Sequence, residues 1–253
     1  MLAAVPAARR HCCGIQGTPR VIVGHGLLAR GLAGRYAHDP RVTIFASGVS
    51  DSGEHRAAEF ERERRMLLDV DHHPDSRLVY FGSCAVVVED GQASTPYMRH
   101  KRDMEALALS RPDGLVIRLP QAVGNTSNPH TLTNYLRDRL LSGERFTLWS
   151  KAERNLVDID HVAAIATALI DDGLPPQSVV SIAAQRSLPM AEIVAIFERV
   201  MKRRANYVVE DKGSPLPIEH RVADAIAGRL GIDLGGDYAQ RVIRKYYGRN
   251  APT

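Results

Sequence analysis

From Arg20 to Ser142, short apolar runs alternate with longer amphipathic stretches, and this alternation leaves few folds open to the chain. The runs predict strands over 20–24, 42–46, 77–82 and 114–119, and the stretches between and after them predict helices over 26–37, 54–69, 96–110 and 129–142. Strands alternating with helices at this spacing imply a parallel sheet with helices on both faces. Beyond Arg118 the character changes. A polar loop, Gly124-Asn125-Thr126-Ser127-Asn128-Pro129, precedes a short strand at 146–149 and a helix over 160–170. Asp171-Asp172-Gly173-Leu174-Pro175-Pro176 reads as a loop. Val179 to Ala183 reads as a last sheet strand, Met190 to Arg203 as an amphipathic helix, and Glu219–Leu230 and Tyr238–Tyr247 as helices separated by a break at Gly228 and Gly231. With 253 residues the chain can form one α/β body with a small subdomain. We place a flexible extension at 1–20, the α/β body at 21–170 and a mostly helical C-terminal part at 171–253.

Composition excludes more than it assigns. A hydrophobic share of 44% and a charged share of 25% suit a packed globular chain. The net charge of +4 lacks an aromatic-interleaved basic stripe, so nucleic acid is not an expected partner. Arg62, Arg64 and Arg65, and again Lys202, Arg203 and Arg204, read as solvated helix faces, and the helix over 54–69 as a cover with a charged outer face. No apolar stretch approaches the ~20 residues that cross a bilayer, and the opening residues lack a basic n-region, so neither a membrane span nor a signal peptide is expected. Three cysteines, two of them adjacent as Cys12-Cys13, make no disulfide framework and fit a reducing cytoplasm. Cys84 reads as a small core residue. His72-His73, His100 and His130 have no ligand-set spacing, so no metal is expected. No G-x-S-x-G surrounds Ser47 or Ser83, which removes the serine-hydrolase reading.

Two local patterns carry chemistry. Arg20-Val21-Ile22-Val23 runs into Gly24-His25-Gly26-Leu27-Leu28-Ala29, a strand followed at once by a G-x-G-x-x-A turn and a helix. Such a turn lets backbone approach a pyrophosphate and aims helix N–H groups at it. The second pattern is Thr95-Pro96-Tyr97-x-x-x-Lys101: a Thr cap, a proline in the first turn, then Tyr and Lys on one helix face. The Lys101 ammonium beside the Tyr97 phenol favours the phenolate and brings a group that titrates near ~10 toward a general acid/base. Ser83 ends the run Arg77–Phe81-Gly82, at the strand terminus where open α/β sheets bind ligands. A hydroxyl there polarises an oxygen that Tyr97 protonates. His100 reads as solvent-facing, on another face from Tyr97 and Lys101.

In their order these pieces resemble the extended short-chain dehydrogenases/reductases, the NAD(P)-dependent epimerase/dehydratase and keto-sugar reductase group. The resemblance spans roughly Val21 to Ala183 and also rests on Phe45-Ala46-Ser47-Gly48, Arg118-Leu119-Pro120-Gln121-Ala122-Val123-Gly124 and Arg154-Asn155-Leu156-Val157-Asp158. It implies a Rossmann-like doubly wound parallel sheet and a catalytic set of Ser83, Tyr97 and Lys101. It also implies a dinucleotide held by Gly24, His25, Gly26, Leu27, Leu28, Ala46, Ser47, Gly48, Tyr97, Lys101, Leu119 and Pro120. Ser50, Gln121, Asn125 and Arg154 fall on the substrate side, with Arg154 matched to a diphosphate. The implied substrate is a nucleotide-activated sugar, and members often pair as homodimers through the Tyr/Lys helix.

The departures are specific. The Asp or Glu expected about 20 residues after the glycine turn, on the adenosine ribose, is missing. Val42–Phe45 looks like a later family strand, so two intervening strands are absent and the sheet is reduced. With Arg30 and Arg35 nearby and no acid to repel a phosphate, NADP(H) is as acceptable as NAD(H), and binding is expected to be weak or unusual. Gln121 stands where the family often has Asn, and Val87 where it often has an aromatic. A dehydratase usually has a further acid beside its Ser/Thr, and Cys84 stands there instead. Three readings follow: reduction of a keto-sugar nucleotide, epimerisation or dehydration of the same class, and a non-catalytic dinucleotide-binding protein.

Overall fold

Val42–Phe45 buries all four of its side chains, as a strand covered on both faces must. In the computed structural model, which describes residues 21–70, 76–87 and 94–248, it is β2 of a five-stranded, all-parallel sheet. The strands are β1 (Ile22–Val23), β2 (Val42–Phe45), β3 (Arg77–Ser83), β4 (Leu115–Leu119) and, after four short strands outside this sheet, β9 (Val179–Ser181), and they lie side by side in that order. The helices α1 (Leu27–Tyr36), α2 (Ala57–Leu68) and α3 (Pro96–Leu109) connect the first four. The expectations for 1–20, for Cys12-Cys13 and for His72-His73 lie outside the described residues.

Alternation along the strands sorts the core into two layers. Ile44, Val79, Phe81, Leu115 and Ile117 meet α1 and α5 (Ile159–Asp171) on one face, whereas Val23, Phe45, Leu78, Tyr80 and Val116 meet α2 and α3 on the other. The steps β1→β2 and β2→β3 therefore run in the same direction across the sheet but over opposite faces, which gives them opposite hands. Parallel crossovers are right-handed in about 98% of cases, so one of these two is an exception. The order also bears out the reduced sheet: β1 is an edge, paired with β2 (Ile22 to Ile44, Val23 to Phe45) and with no strand on its other side among the described residues.

Past β4, the chain makes short ladders beside the sheet. β5 (Gln121–Val123) pairs in parallel with β8 (Leu156–Asp158), β6 (Phe146–Trp149) in parallel with β11 (Tyr207–Glu210), and β7 (Glu153–Arg154) antiparallel with β10 (Leu188–Pro189). The buried Asn155 joins this region to the chain after β9: its amide donates to the Ala184 carbonyl and accepts from the Ala184 N–H, both at 2.9 Å. α4 (Leu132–Ser142), α6 (Met190–Met201), α7 (Arg221–Arg229) and α8 (Tyr238–Tyr247) pack around these ladders, and their apolar sides extend the larger core layer. Among the described residues no helix is long and apolar enough to cross a membrane.

Candidate active site

The carboxyl ends of β1 to β4 open into a cleft of about 470 Å³. One wall is the start of α1: His25, Gly26, Leu27 and Leu28. Gly26 caps this helix without a side-chain hydrogen bond, and its first turn holds no acid, so the early N–H groups face the cleft unneutralised. A Cβ on Gly26 would meet nothing within 4 Å, whereas one on Gly24, which has φ +121°, would lie 2.5 Å from the Ala46 carbonyl oxygen. Gly24 thus holds the turn and does not line the cleft, while the space at Gly26 is room for a ligand. An anion such as a pyrophosphate fits that end, and the dinucleotide expected from the sequence would find its diphosphate held there.

Ala46, Ser47, Gly48 and Ser50 form the floor, and Leu119, Pro120 and Gln121 the far wall. Ser83, Tyr97 and Lys101 converge between them. α3 begins as its sequence predicts: the Thr95 hydroxyl accepts from the Met98 N–H at 3.2 Å and Pro96 occupies the first turn. That start puts Tyr97 and Lys101 on the buried side. Ser83 Oγ accepts from the Ala85 N–H at 3.2 Å, which leaves the hydroxyl proton free to donate.

The electrostatics differ from the expectation. Lys101 Nζ lies 5.8 Å from the Tyr97 ring centre, yet the Tyr97 phenol is pushed above its ordinary range. Burial is the main cause; a hydrogen bond from Ser83 pulls it back part way, and Glu63 pushes it further up. Lys101 does not act alone because its ammonium sits on the Glu63 carboxylate, at 2.8 and 3.1 Å. Glu63 comes from α2, whose charged residues the sequence assigned to an outer face; this one is fully buried. The solvent-facing reading of His100 is corrected too. His100 is three residues from Tyr97, hence on the same helix face, and it is buried, stacked on Phe60 with ring centres 4.5 Å apart and bonded through Nε2 to Glu63 at 2.9 Å. Burial drives the Glu63 carboxyl up, but His100 and Lys101 outweigh it and leave its pKa at about 2. The signal for Glu63 was present: Phe60, Glu63 and Leu67 make one helical stripe with an acid in its middle.

Other expected site residues separate. Arg154 lines an adjoining pocket of about 240 Å³, which shares Ser83, Pro120 and Gln121 with the cleft and is closed by Ser214-Pro215-Leu216-Pro217, a wall that no local sequence pattern announces. No carboxylate pairs with Arg154 among the described residues; it donates to the Glu153 carbonyl at 2.7 Å, and burial lowers its pKa with no acid to offset the effect. The neighbouring Glu153 carboxylate accepts from the Leu216 N–H at 3.1 Å. Asn125 is exposed and outside the cleft lining, where Thr126, Asn128, His130 and Thr131 stand instead. Arg35 is not free for a phosphate, since it pairs with Asp39 and Asp171 at 3.1 and 3.2 Å. Among the described residues Arg30 bonds only backbone carbonyls, of His25 and Asn125. Cys84 is buried with its thiol pushed up to about 12, mainly by that burial, as suits a core residue. No group of three or more His, Cys, Asp or Glu side chains among the described residues can hold a metal ion.

No protein-family model matches the sequence, and no curated protein matches it significantly. Solved structures do match in three dimensions. A dTDP-glucose 4,6-dehydratase from Bacillus anthracis in complex with NAD superposes with a TM-score of 0.63 at 14% identity, over 83% of this chain and 73% of that one. A UDP-glucose 4-epimerase from Bifidobacterium longum in complex with NAD+ and UDP gives 0.60 at 15% identity, over 81% and 75%. RMD from Pseudomonas aeruginosa, complexed with NADPH, gives 0.56 at 15%, over 88% and 87%. The chain has the fold of these proteins. The parallel, Rossmann-like sheet expected from the sequence is therefore shared with them, in a form with fewer strands.

Proposed function

We propose that this chain is an NAD(P)-dependent oxidoreductase of the short-chain dehydrogenase type, acting on a nucleotide-activated sugar. The observation that carries the reading is the convergence of Ser83, Tyr97 and Lys101 in one cleft whose opposite wall is the open, unneutralised start of α1. A bound reduced nicotinamide would supply the hydride. Ser83, its oxygen occupied by the Ala85 N–H, donates its proton to the reacting carbonyl. Tyr97, held as a phenol by its burial, protonates the same oxygen as negative charge develops on it. Lys101 stands beneath them as the fixed cation. Arg154 in the adjoining pocket, with no carboxylate partner among the described residues, supports an anionic substrate such as a sugar diphosphate. The structural neighbours are described as complexes with NAD, NADPH or UDP, which supports the same cofactor and substrate classes.

Epimerisation remains the second reading, since the same Tyr97 works as base when the substrate is oxidised first. Dehydration is disfavoured: the thiol at Cys84 is too weak an acid for the role a carboxylic acid would fill. Tyr97→Phe is the test. Turnover of keto-sugar nucleotides should fall at least 10²-fold, while NAD(P)H binding stays within a few-fold of wild type; unchanged turnover would remove Tyr97 from the chemistry.

A further inference from the structure

Glu63 lies beneath the cleft, on α2, an element that contributes no lining residue to it. Its two oxygens receive Lys101 Nζ, the His100 Nε2 at 2.9 Å, the Tyr80 hydroxyl at 3.0 Å and the Val49 N–H at 2.8 Å. An ionised carboxylate only accepts, so His100 carries its proton on Nε2. The backbone is shaped for this contact as well. Gly48 has φ +139°, and a Cβ there would fall 2.3 Å from the Glu63 carboxyl carbon. The stripe position between Phe60 and Leu67 would accept an apolar residue, and buried ion pairs are commonly no more stabilising than such a replacement. Packing alone does not account for an acid placed there.

We propose that Glu63 is a positioning residue of the site, acting through Lys101: it fixes the ammonium under the cleft and compensates its charge, so that Lys101 does not turn Tyr97 into a phenolate before the site is filled. The proposal rests on Tyr97 and Lys101 being the acid/base pair. Among the described residues, the charged and titratable groups that face Tyr97 and Lys101 come from several elements. Glu63 faces the pair from α2, and His100 and Glu105 come from α3. Tyr80 and Cys84 come from β3 and its end, Arg118 from β4 on the far side of Gly82, and Asp51 from the loop after β2. Arg118 and Glu105 are paired with each other at 2.7 Å, which leaves the Glu63–Lys101 pair as the local balance around Tyr97.

The experiment is an ultraviolet absorbance titration of the unliganded protein, with the signal of Tyr97 isolated by subtracting the titration of Tyr97→Phe. Glu63→Gln should titrate Tyr97 at least about 1 pH unit below wild type, because the nearby cation is then uncompensated. The same titration in a Glu63→Gln protein that retains its near-ultraviolet circular dichroism would overturn the proposal. If Glu63→Gln does not fold, the double variant Glu63→Gln/Lys101→Met, with neither charge, decides it. Tyr97 should then titrate as in wild type, and a titration clearly above wild type would mean that Lys101 acts on Tyr97 uncompensated, against the proposal. No substrate or cofactor enters these measurements, so they succeed or fail independently of the turnover of Tyr97→Phe.

Discussion

Two glycines a short distance apart in the site show how one residue type serves different ends. At Gly48 the missing Cβ makes room for the Glu63 carboxylate, whereas at Gly26 it leaves open space. Gly48→Ala should therefore cost about 2–4 kcal/mol in denaturant unfolding, from the strained φ and a displaced buried ion pair. Gly26→Ala should leave stability within about 0.5 kcal/mol of wild type but weaken NAD(P)H by roughly tenfold, read by isothermal titration. Glu63 also predicts an acid dependence. Its folded pKa of about 2 lies below the ordinary 4.5, so its contribution is complete above pH 4.5 and is lost as pH falls toward 2. The stability gap between wild type and Glu63→Gln, measured by urea unfolding, should shrink across that window. In the sequence, Ser83, Tyr97 and Lys101 were legible because each occupies a position with a local signature. The solvent-facing reading of His100 and the outer-face reading of the charges over 54–69 fail because the stripes 97-100-101-104 and 60-63-67 place His100 and Glu63 inward.

Elements with a long period were legible and short ones were not. α3, α4 and α8 begin and end within a few residues of their predicted bounds, since caps such as Thr95 and Thr131 and the left-handed Gly143 are written locally. β5, β7, β8, β10 and β11 have two to four residues each, and their partners are remote in sequence, so no local pattern announces them. They nevertheless hold Arg154 and Gln121 in place, and Asn155 is their tie to the sheet. Asn155→Ala would leave the Ala184 N–H and carbonyl buried and unpaired. It should cost about 2–4 kcal/mol by thermal or urea unfolding, with a loss under 1 kcal/mol showing that the ladders stand without it.

At the scale of the whole sheet, the decisive feature is that β1 is an edge among the described residues. The acid missing about 20 residues after the glycine turn and the lack of a strand beyond β1 among the described residues describe the same absence, one in residues and one in topology, which is why the reduced sheet could be read before the structure. Nothing in the described residues discriminates a ribose hydroxyl from a ribose phosphate, and Arg30 stands exposed near the cleft mouth. NADH and NADPH should bind within about tenfold of each other, in fluorescence titrations that follow energy transfer from Trp149; a hundredfold preference for either would contradict this.

The strand order carries one more consequence. Because β1, β2, β3 and β4 lie in the sheet as they lie in the chain, each new strand leaving the ribosome meets an edge already waiting for it. No later segment has to be inserted between two that have paired, and only β9 must return from a distance, so the sheet can grow by accretion during synthesis with little loop entropy to overcome.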